Sequence, residues 1–293
     1  MIIGKVKLNQ DKVKELIQTI KKKKELKELS NEFIISYLRE YFQKEQKLFL
    51  SLSKELNPKS KEFKQVVKEV RSKLRRVYGL FRVEDETLKR KEFVEDFLTN
   101  PQKKELIEKI LETHSSTKER LPHYKELYKK LFKITKKPKS IIDLGCGINP
   151  FSFPFMDLKN LTYYAYDISE DEIGILEQYF NLLHQLNPLF SGEAHILDAL
   201  RWTRLLQLEQ VDVCFLFKMT DVLDQGKGHK KSEEVIKSIP AKFIIVSVPT
   251  LTMSGKRMNH PRKGWIELMC KRLNYDFNII EFSNELFYVI KKQ

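Results

Sequence analysis

The stretch IIDLGCG at 141–147 constrains the fold more than any other, because an apolar run that breaks directly into two glycines reads as a buried strand entering a tight turn. Gly145 and Gly147 let the backbone approach a ligand closely, and Asp143 at the strand end offers a carboxylate to a ligand's ammonium or hydroxyls. A purely structural turn would explain the same glycine pair. The next apolar run, however, ends in YAYD at 164–167, about twenty residues on, where Asp167 is placed to take both hydroxyls of a ribose. Together the two features favour a nucleoside cofactor. A dinucleotide site would read G-x-G-x-x-G, whereas Pro150 stands three residues after Gly147, so a cofactor without phosphates fits better than a pyrophosphate. The third run ends at Leu197, Asp198 and Ala199, where Asp198 either accepts from an adenine amino group or caps the next helix.

Beyond residue 139, short apolar runs at 140–144, 161–166, 194–197, 211–217, 243–248, 277–282 and 286–290 alternate with helical segments and close on a pair without a helix between them. This order predicts an α/β, doubly wound, seven-stranded Rossmann-like sheet with an antiparallel edge, the arrangement of methyltransferase domains. Before residue 140 the only glycines are Gly4 and Gly79, and apolar residues recur by three and four, so an all-α domain precedes the sheet. Helix breaks are expected near Ser30, Pro58 and Gly79, and at Asn100, where Asn would cap the next helix and Pro101 take its first turn. A further helix should start at 115–117 and run through Phe132, tolerating Pro122 near its start. The composition change after KKPK at 136–139 sets the expected domains at 1–136 and 137–293.

Charge separates the same two parts. Residues 1–140 hold 37 basic and 21 acidic side chains, while residues 141–293 hold 17 and 19, so the whole excess lies in the helical part and suits a polyanion such as RNA. Cys146, Cys214 and Cys270 are widely separated, which indicates neither disulfides nor a zinc site. No apolar run approaches the roughly 20 residues of a membrane span, so a cytoplasmic protein without membrane or metal is expected.

With these residues in place, the chain resembles the aminoglycoside-resistance 16S rRNA methyltransferases, which modify guanine N7 in the decoding-site helix. The resemblance covers most of residues 70–290: KLRRVYG at 73–79, HSSTKERL at 114–121, DLGCGINP at 143–150, YAYDI at 164–168, LFKM at 216–219, LDQ at 223–225, VSVP at 246–249, SGK at 254–256 and NELFYV at 284–289. It implies S-adenosyl-L-methionine (SAM) as cofactor, 16S rRNA within the 30S subunit as partner, and antibiotic resistance in a susceptible bacterium. It also implies cofactor contacts from Asp143, Gly145, Cys146, Gly147, Asp167, Ile168, Asp198, Ala199, Phe217 and Gln225. Lys118 stands where the family has arginine, which leaves Arg120 as an alternative holder of the cofactor's carboxylate. Between 256 and 265 the basic run departs from the family pattern, with Asn259, His260 and Pro261 inserted where the family contacts rRNA.

Guanine N7 presents a free lone pair, so no general base is expected, and the chain carries no N-P-P-Y or D-P-P-Y tetrapeptide of the kind used on exocyclic amines. Lys218, after the fourth sheet strand, would face the target base, and Lys256 and Arg257 would hold the adjoining backbone. Phosphate contacts are expected from Arg71, Lys73, Arg75 and Arg76, of which 71 and 75 share a helical face. Singly, each of these cations is explained as solvated surface charge. Methylation of another RNA, and a non-catalytic RNA-binding assembly factor, remain alternatives, although the latter should have lost Asp143, Gly145, Gly147 or Asp167.

Overall fold

Helices whose apolar residues line one face must bury that face against a core. The structure is a computed structural model that describes residues 1–3, 6–78, 86–224, 228–252, 256–258 and 263–293, with only the backbone described at 76–78 and 202. The chain forms two compact units, Met1–Arg82 with Ile168–Glu170, and Val83–Asp167 with Asp171–Gln293.

In the first unit, β1 (Ile2–Ile3) pairs antiparallel with β2 (Val6–Lys7), a small addition to the all-helical expectation. Then follow α1 (Gln10–Lys21), α2 (Asn31–Lys44), α3 (Gln46–Lys54) and α4 (Lys61–Tyr78). Ser30 caps α2 where the sequence places a break, its Oγ accepting from the Phe33 amide at 3.1 Å. The buried faces meet through Leu16, Ile20, Phe33, Leu38, Phe42 and Val70. Residues 168–170 join this unit through an antiparallel bridge between Leu29 and Ser169 and a 3.1 Å bond from the Ser30 amide to the Ile168 carbonyl.

The second unit opens with α5 (Glu86–Thr99), α6 (Glu105–Glu112), α7 (Ser115–Arg120) and α8 (Tyr124–Thr135). Phe97, Ile107, Ile110 and Leu131 share one core with Ile141, Tyr163 and Phe215, so these helices pack as part of the sheet domain. The compact division therefore falls near residue 82, earlier than the change of composition at 136/137, because surface charge and core packing are set by opposite helix faces. Asn100 does not cap α6. Its amide donates to Asp96 Oδ1 at 2.8 Å, and α6 begins later with Lys104 as its uncapped N-terminus. The single helix expected from 115 is broken by a 3-10 turn at Leu121–His123, since Pro122 lacks an amide hydrogen and crowds the carbonyl four residues back.

The sheet is built from β3 (Ser140–Leu144), β4 (Leu161–Asp167), β5 (Phe190–Ile196), β6 (Val211–Phe217), β7 (Ala241–Pro249), β8 (Asp276–Glu281) and β9 (Glu285–Lys291). Between them lie α9 (Glu170–Leu186), α10 (Trp202–Leu205), α11 (Thr220–Asp224), α12 (Lys230–Ser238) and α13 (Gly264–Leu273). The strand order is β5-β4-β3-β6-β7-β9-β8. Five strands run parallel, and β9 lies antiparallel to both β7 and β8. One face packs Ile141, Val213 and Ile245 on α6, α8 and α9, while the other packs Ile142, Cys214 and Ile244 on α12 and α13. Edge strand β5 starts four residues before its apolar run, because its outer residues Ser191, Glu193 and His195 face away from the core. Among the described residues, no helix is long and apolar enough to cross a membrane.

Gly192 on β5 admits Phe180 so closely that an added Cβ would lie 2.5 Å from its ring. Gly192→Ala should cost about 1–3 kcal/mol by overpacking, measured as a lowered urea midpoint with unchanged m value.

Candidate active site

The parallel register brings three strand ends together: Asp143 lies beside Ala165, and Asp167 beside Ile196, two residues before Asp198. After β3 the chain turns through Gly145 at φ +65° and Gly147 at φ +49°, conformations that favour glycine. A Cβ on Gly145 would also lie 2.2 Å from Met219 Sδ, so the Met219 side chain would have to move to admit one. The turn is pinned to β4. The amides of Gly145 and Cys146 donate to the Tyr166 carbonyl at 2.8 and 3.1 Å, and that of Gly147 donates to Asp167 Oδ2 at 2.9 Å.

Each carboxylate has a distinct environment. Asp143 is buried, and its Oδ2 accepts from Asn149 Nδ2 at 2.8 Å and from the Tyr163 hydroxyl at 2.7 Å. Burial pushes its pKa up to about 6 against the opposing pull of these two donors and of Arg120. Asp198 folds a short turn, its Oδ1 accepting from the Leu200 amide at 2.9 Å, and Arg201 rather than Asp198 occupies the N-cap of α10. Burial raises its pKa as well. The thiols of Cys146 and Cys214 are likewise pushed up by burial and so stay protonated, as poor nucleophiles. Ala199 and Phe217 are buried at the ends of their runs, whereas Ile168 groups with the first unit and Gln225 lies outside the described residues.

Arg120 and Lys118 sit differently on α7. Lys118 is exposed. Arg120 is buried, and its Nε and Nη2 donate to the two carboxylate oxygens of Glu285 at 3.0 and 2.8 Å. Nη1 reaches Asn149 Oδ1 at 3.2 Å, and the guanidinium lies 4.6 Å from the Phe217 ring centroid. Burial alone would lower the Arg120 pKa, but Glu285 overrides it and raises the value. Ser247 donates to Glu285 and accepts from the Lys218 amide at 2.9 Å. Lys218 adopts φ +56°, and its Nζ pairs with Glu119 at 2.5 Å. The sequence reading missed Asn149, Ser247, Glu285 and Glu119 as site residues. For Ser247 the available signal was a polar residue inside an otherwise apolar run, since such groups are buried only with partners, whereas Glu119, exposed between Lys118 and Arg120, carries no such signal.

The expected RNA contacts are partly engaged inside the first unit. Arg71 donates to the carbonyls of Thr19 and Ile20, Arg75 pairs with Glu25 at 2.6 Å, and Lys73 lies 3.7 Å from Glu40. The side chain of Arg76 lies outside the described residues. Lys64, Lys68, Arg71 and Arg75 form one face of α4 and line, with Lys23, an open cavity of about 350 Å³. Lys256 is exposed, and Arg257 is exposed with a 3.8 Å approach to Glu281. Among the described residues no three His, Cys, Asp or Glu side chains gather as a metal site.

A doubly wound sheet with a glycine turn and carboxylates at three adjacent strand ends defines a Rossmann-like methyltransferase. The chain belongs to the ribosomal RNA methyltransferase (FmrO) family, which it matches over residues 52–289. It is 27% identical over 246 residues to a 16S rRNA (guanine(1405)-N(7))-methyltransferase of Proteus mirabilis, covering 78% of this chain and 85% of that one. A protein of the same description from Micromonospora echinospora is 30% identical over 190 residues, covering 64% of this chain and 66% of that one. The fold is also similar to that of the 16S rRNA methyltransferase RmtF in complex with S-adenosyl-L-homocysteine, with a TM-score of 0.72 at 20% identity over 97% of this chain and all of that one.

Two outcomes follow from the buried network. Arg120→Met leaves the Glu285 carboxylate buried without its partner and should cost about 3–5 kcal/mol, whereas Arg120→Met with Glu285→Leu should recover much of that loss in chemical denaturation. Because the folded Asp143 value lies above the unfolded one, its stabilising contribution is complete below pH 3.8 and is lost as pH rises through about 6. Asp143→Asn retains an acceptor for Asn149 and Tyr163, and should remove roughly 3 kcal/mol of pH dependence across that window in unfolding titrations.

Proposed function

We propose that the protein transfers a methyl group from SAM to guanine N7 in the decoding-site helix of 16S rRNA within the 30S subunit, and so confers aminoglycoside resistance on a susceptible bacterium. Membership of an rRNA methyltransferase family carries this reading, and its assigned relatives act on guanine N7. The residues fit the cofactor: Gly145 turns the backbone at a left-handed φ that glycine adopts freely, and Asp167 at the end of β4 suits ribose hydroxyls. Asp198 suits an adenine amino group, and exposed Lys118 suits the cofactor's carboxylate better than Arg120, which is committed to Glu285. When bound, SAM supplies an electrophilic sulfonium methyl.

The chain's own task is then positioning. N7 needs no proton removed, and the buried Asp143 is occupied by Asn149 and Tyr163. Alignment of reacting groups supplies about 7–11 kcal/mol in favourable model systems. In A-form RNA the major groove that holds N7 is deep and narrow, so the base must leave the stack, at a cost of a few kcal/mol that phosphate contacts offset. We assign those contacts to the cationic residues of 1–136, with the α4 face at 64–75 foremost, and to Lys256 and Arg257. Lys218 faces the extruded base. A reaction on the small subunit supports a cytoplasmic setting for the protein.

The test is to incubate the protein with SAM and unmodified 30S subunits, then treat the RNA with borohydride and aniline, which cleave at N7-methylguanine. Cleavage at one decoding-site guanine is the expected result, together with loss of SAM binding by Asp167→Ala in calorimetry. Methylation found only on tRNA, or at adenine or cytosine, refutes the target while leaving the methyltransferase reading. SAM binding unaffected by Asp167→Ala refutes the cofactor assignment.

A further inference from the structure

Glu119 lies on α7 between Lys118 and Arg120, and its Oε2 is 2.5 Å from Lys218 Nζ. The lysine side chain is 9% exposed and that of Glu119 is 50% exposed, so the carboxylate stands on the more open side of the pair. Both ends of the pair are held by their backbones. The Glu119 carbonyl accepts from Asn284 Nδ2, and the next residue, Arg120, is locked onto Glu285. Lys218 sits at φ +56° with its amide on the Ser247 carbonyl and hydroxyl. The contact is therefore unlike the chance meeting of two flexible surface side chains.

The chemistry of the reaction gives this pair a purpose. As the guanine N7 lone pair forms the new N–C bond, the S–C bond breaks with its electron pair remaining on sulfur, and the positive charge passes to the purine ring. An unpaired ammonium beside that ring would oppose the arriving charge, most strongly where water is excluded. A carboxylate on the ammonium cancels its net charge and still leaves two N–H groups to donate. We propose that Glu119 is a positioning residue that neutralises and aims Lys218, so that the lysine can hold a base as it becomes cationic. This rests on the reading of Lys218 as the group that faces the target base.

The experiment uses the full chain as wild type, Glu119→Gln, Glu119→Asp, Lys218→Met and the double variant Glu119→Gln with Lys218→Met. Glu119→Gln should lower kcat about tenfold with KM for 30S subunits changed less than about twofold, and Glu119→Asp should restore part of the rate. A second readout is binding: Glu119→Gln should weaken affinity for N7-methylated subunits about tenfold relative to unmethylated ones. Both effects should vanish in the Lys218→Met background, where no ammonium needs neutralising. Equal Glu119→Gln losses in both backgrounds, or an unchanged preference between methylated and unmethylated subunits, overturn the proposal. A wild-type protein that makes no N7-methylguanine overturns the parent reading and this one together, whereas normal wild-type product with additive variants overturns this one alone.

Discussion

The site is organised around the buried Arg120–Glu285 ion pair. Side chains 2% and 1% exposed carry full charges away from water, a desolvation cost repaid only by close geometry and further hydrogen bonds. Those bonds are present. Glu285 also receives Ser247, and Arg120 also reaches Asn149, whose own amide supports Asp143. The pair thereby ties α7, β7 and β9 to the glycine turn and to the end of β3. Such a pair contributes little to net stability compared with a well-packed apolar alternative. Its consequence is geometric: Asn149 cannot rotate without abandoning either the guanidinium or the Asp143 carboxylate, so the turn that begins at Gly145 keeps one shape.

Elements were legible in the sequence where burial on both faces made a continuous apolar run. β3 and β6 have the bounds that their runs predict, since central strands bury both sets of alternating side chains. β5 was only half legible, because an edge strand buries Phe190 and Ala194 and exposes the polar residues between them. The helix expected from 115 failed at Pro122, where an amphipathic pattern continued across a residue that cannot continue the hydrogen bonds. The glycine turn and the strand-end carboxylates were visible because they depend on neighbouring positions. Arg120 with Glu285 was not, since the partners are 165 positions apart and meet only once β9 has inserted beside β7.

Charge was legible as a sum and not as individual roles. The excess in the first half is a property of composition, whereas the direction of each side chain depends on what lies within its reach. Arg71 turns inward and donates to two carbonyls at the C-terminal end of α1, where the negative end of the helix dipole favours cations. Arg75 is drawn to Glu25. Lys64 and Lys68 continue the same face of α4, spaced so that four cations line one cavity. Arg71 and Arg75 already hold internal partners, so within this stripe Lys64 and Lys68 are the cations without an ion pair or side-chain hydrogen bond among the described residues.

The backbone at Lys218 follows the same logic as the buried ion pair. A lysine at φ +56° pays for a left-handed conformation that glycine would adopt freely, a strain of order 1–3 kcal/mol. Glycine would relieve the strain and remove the ammonium. The strained residue persists because its amide is fixed by both oxygens of Ser247, and Ser247 is in turn fixed by Glu285. Arg120 therefore acts at two places, on the glycine turn through Asn149 and on the Lys218 corner through Glu285 and Ser247. A reaction that needs no proton taken from its nucleophile leaves placement as the main contribution of the protein, and this chain secures placement with polar groups sealed beneath the strand ends, where solvent competes least for their hydrogen bonds.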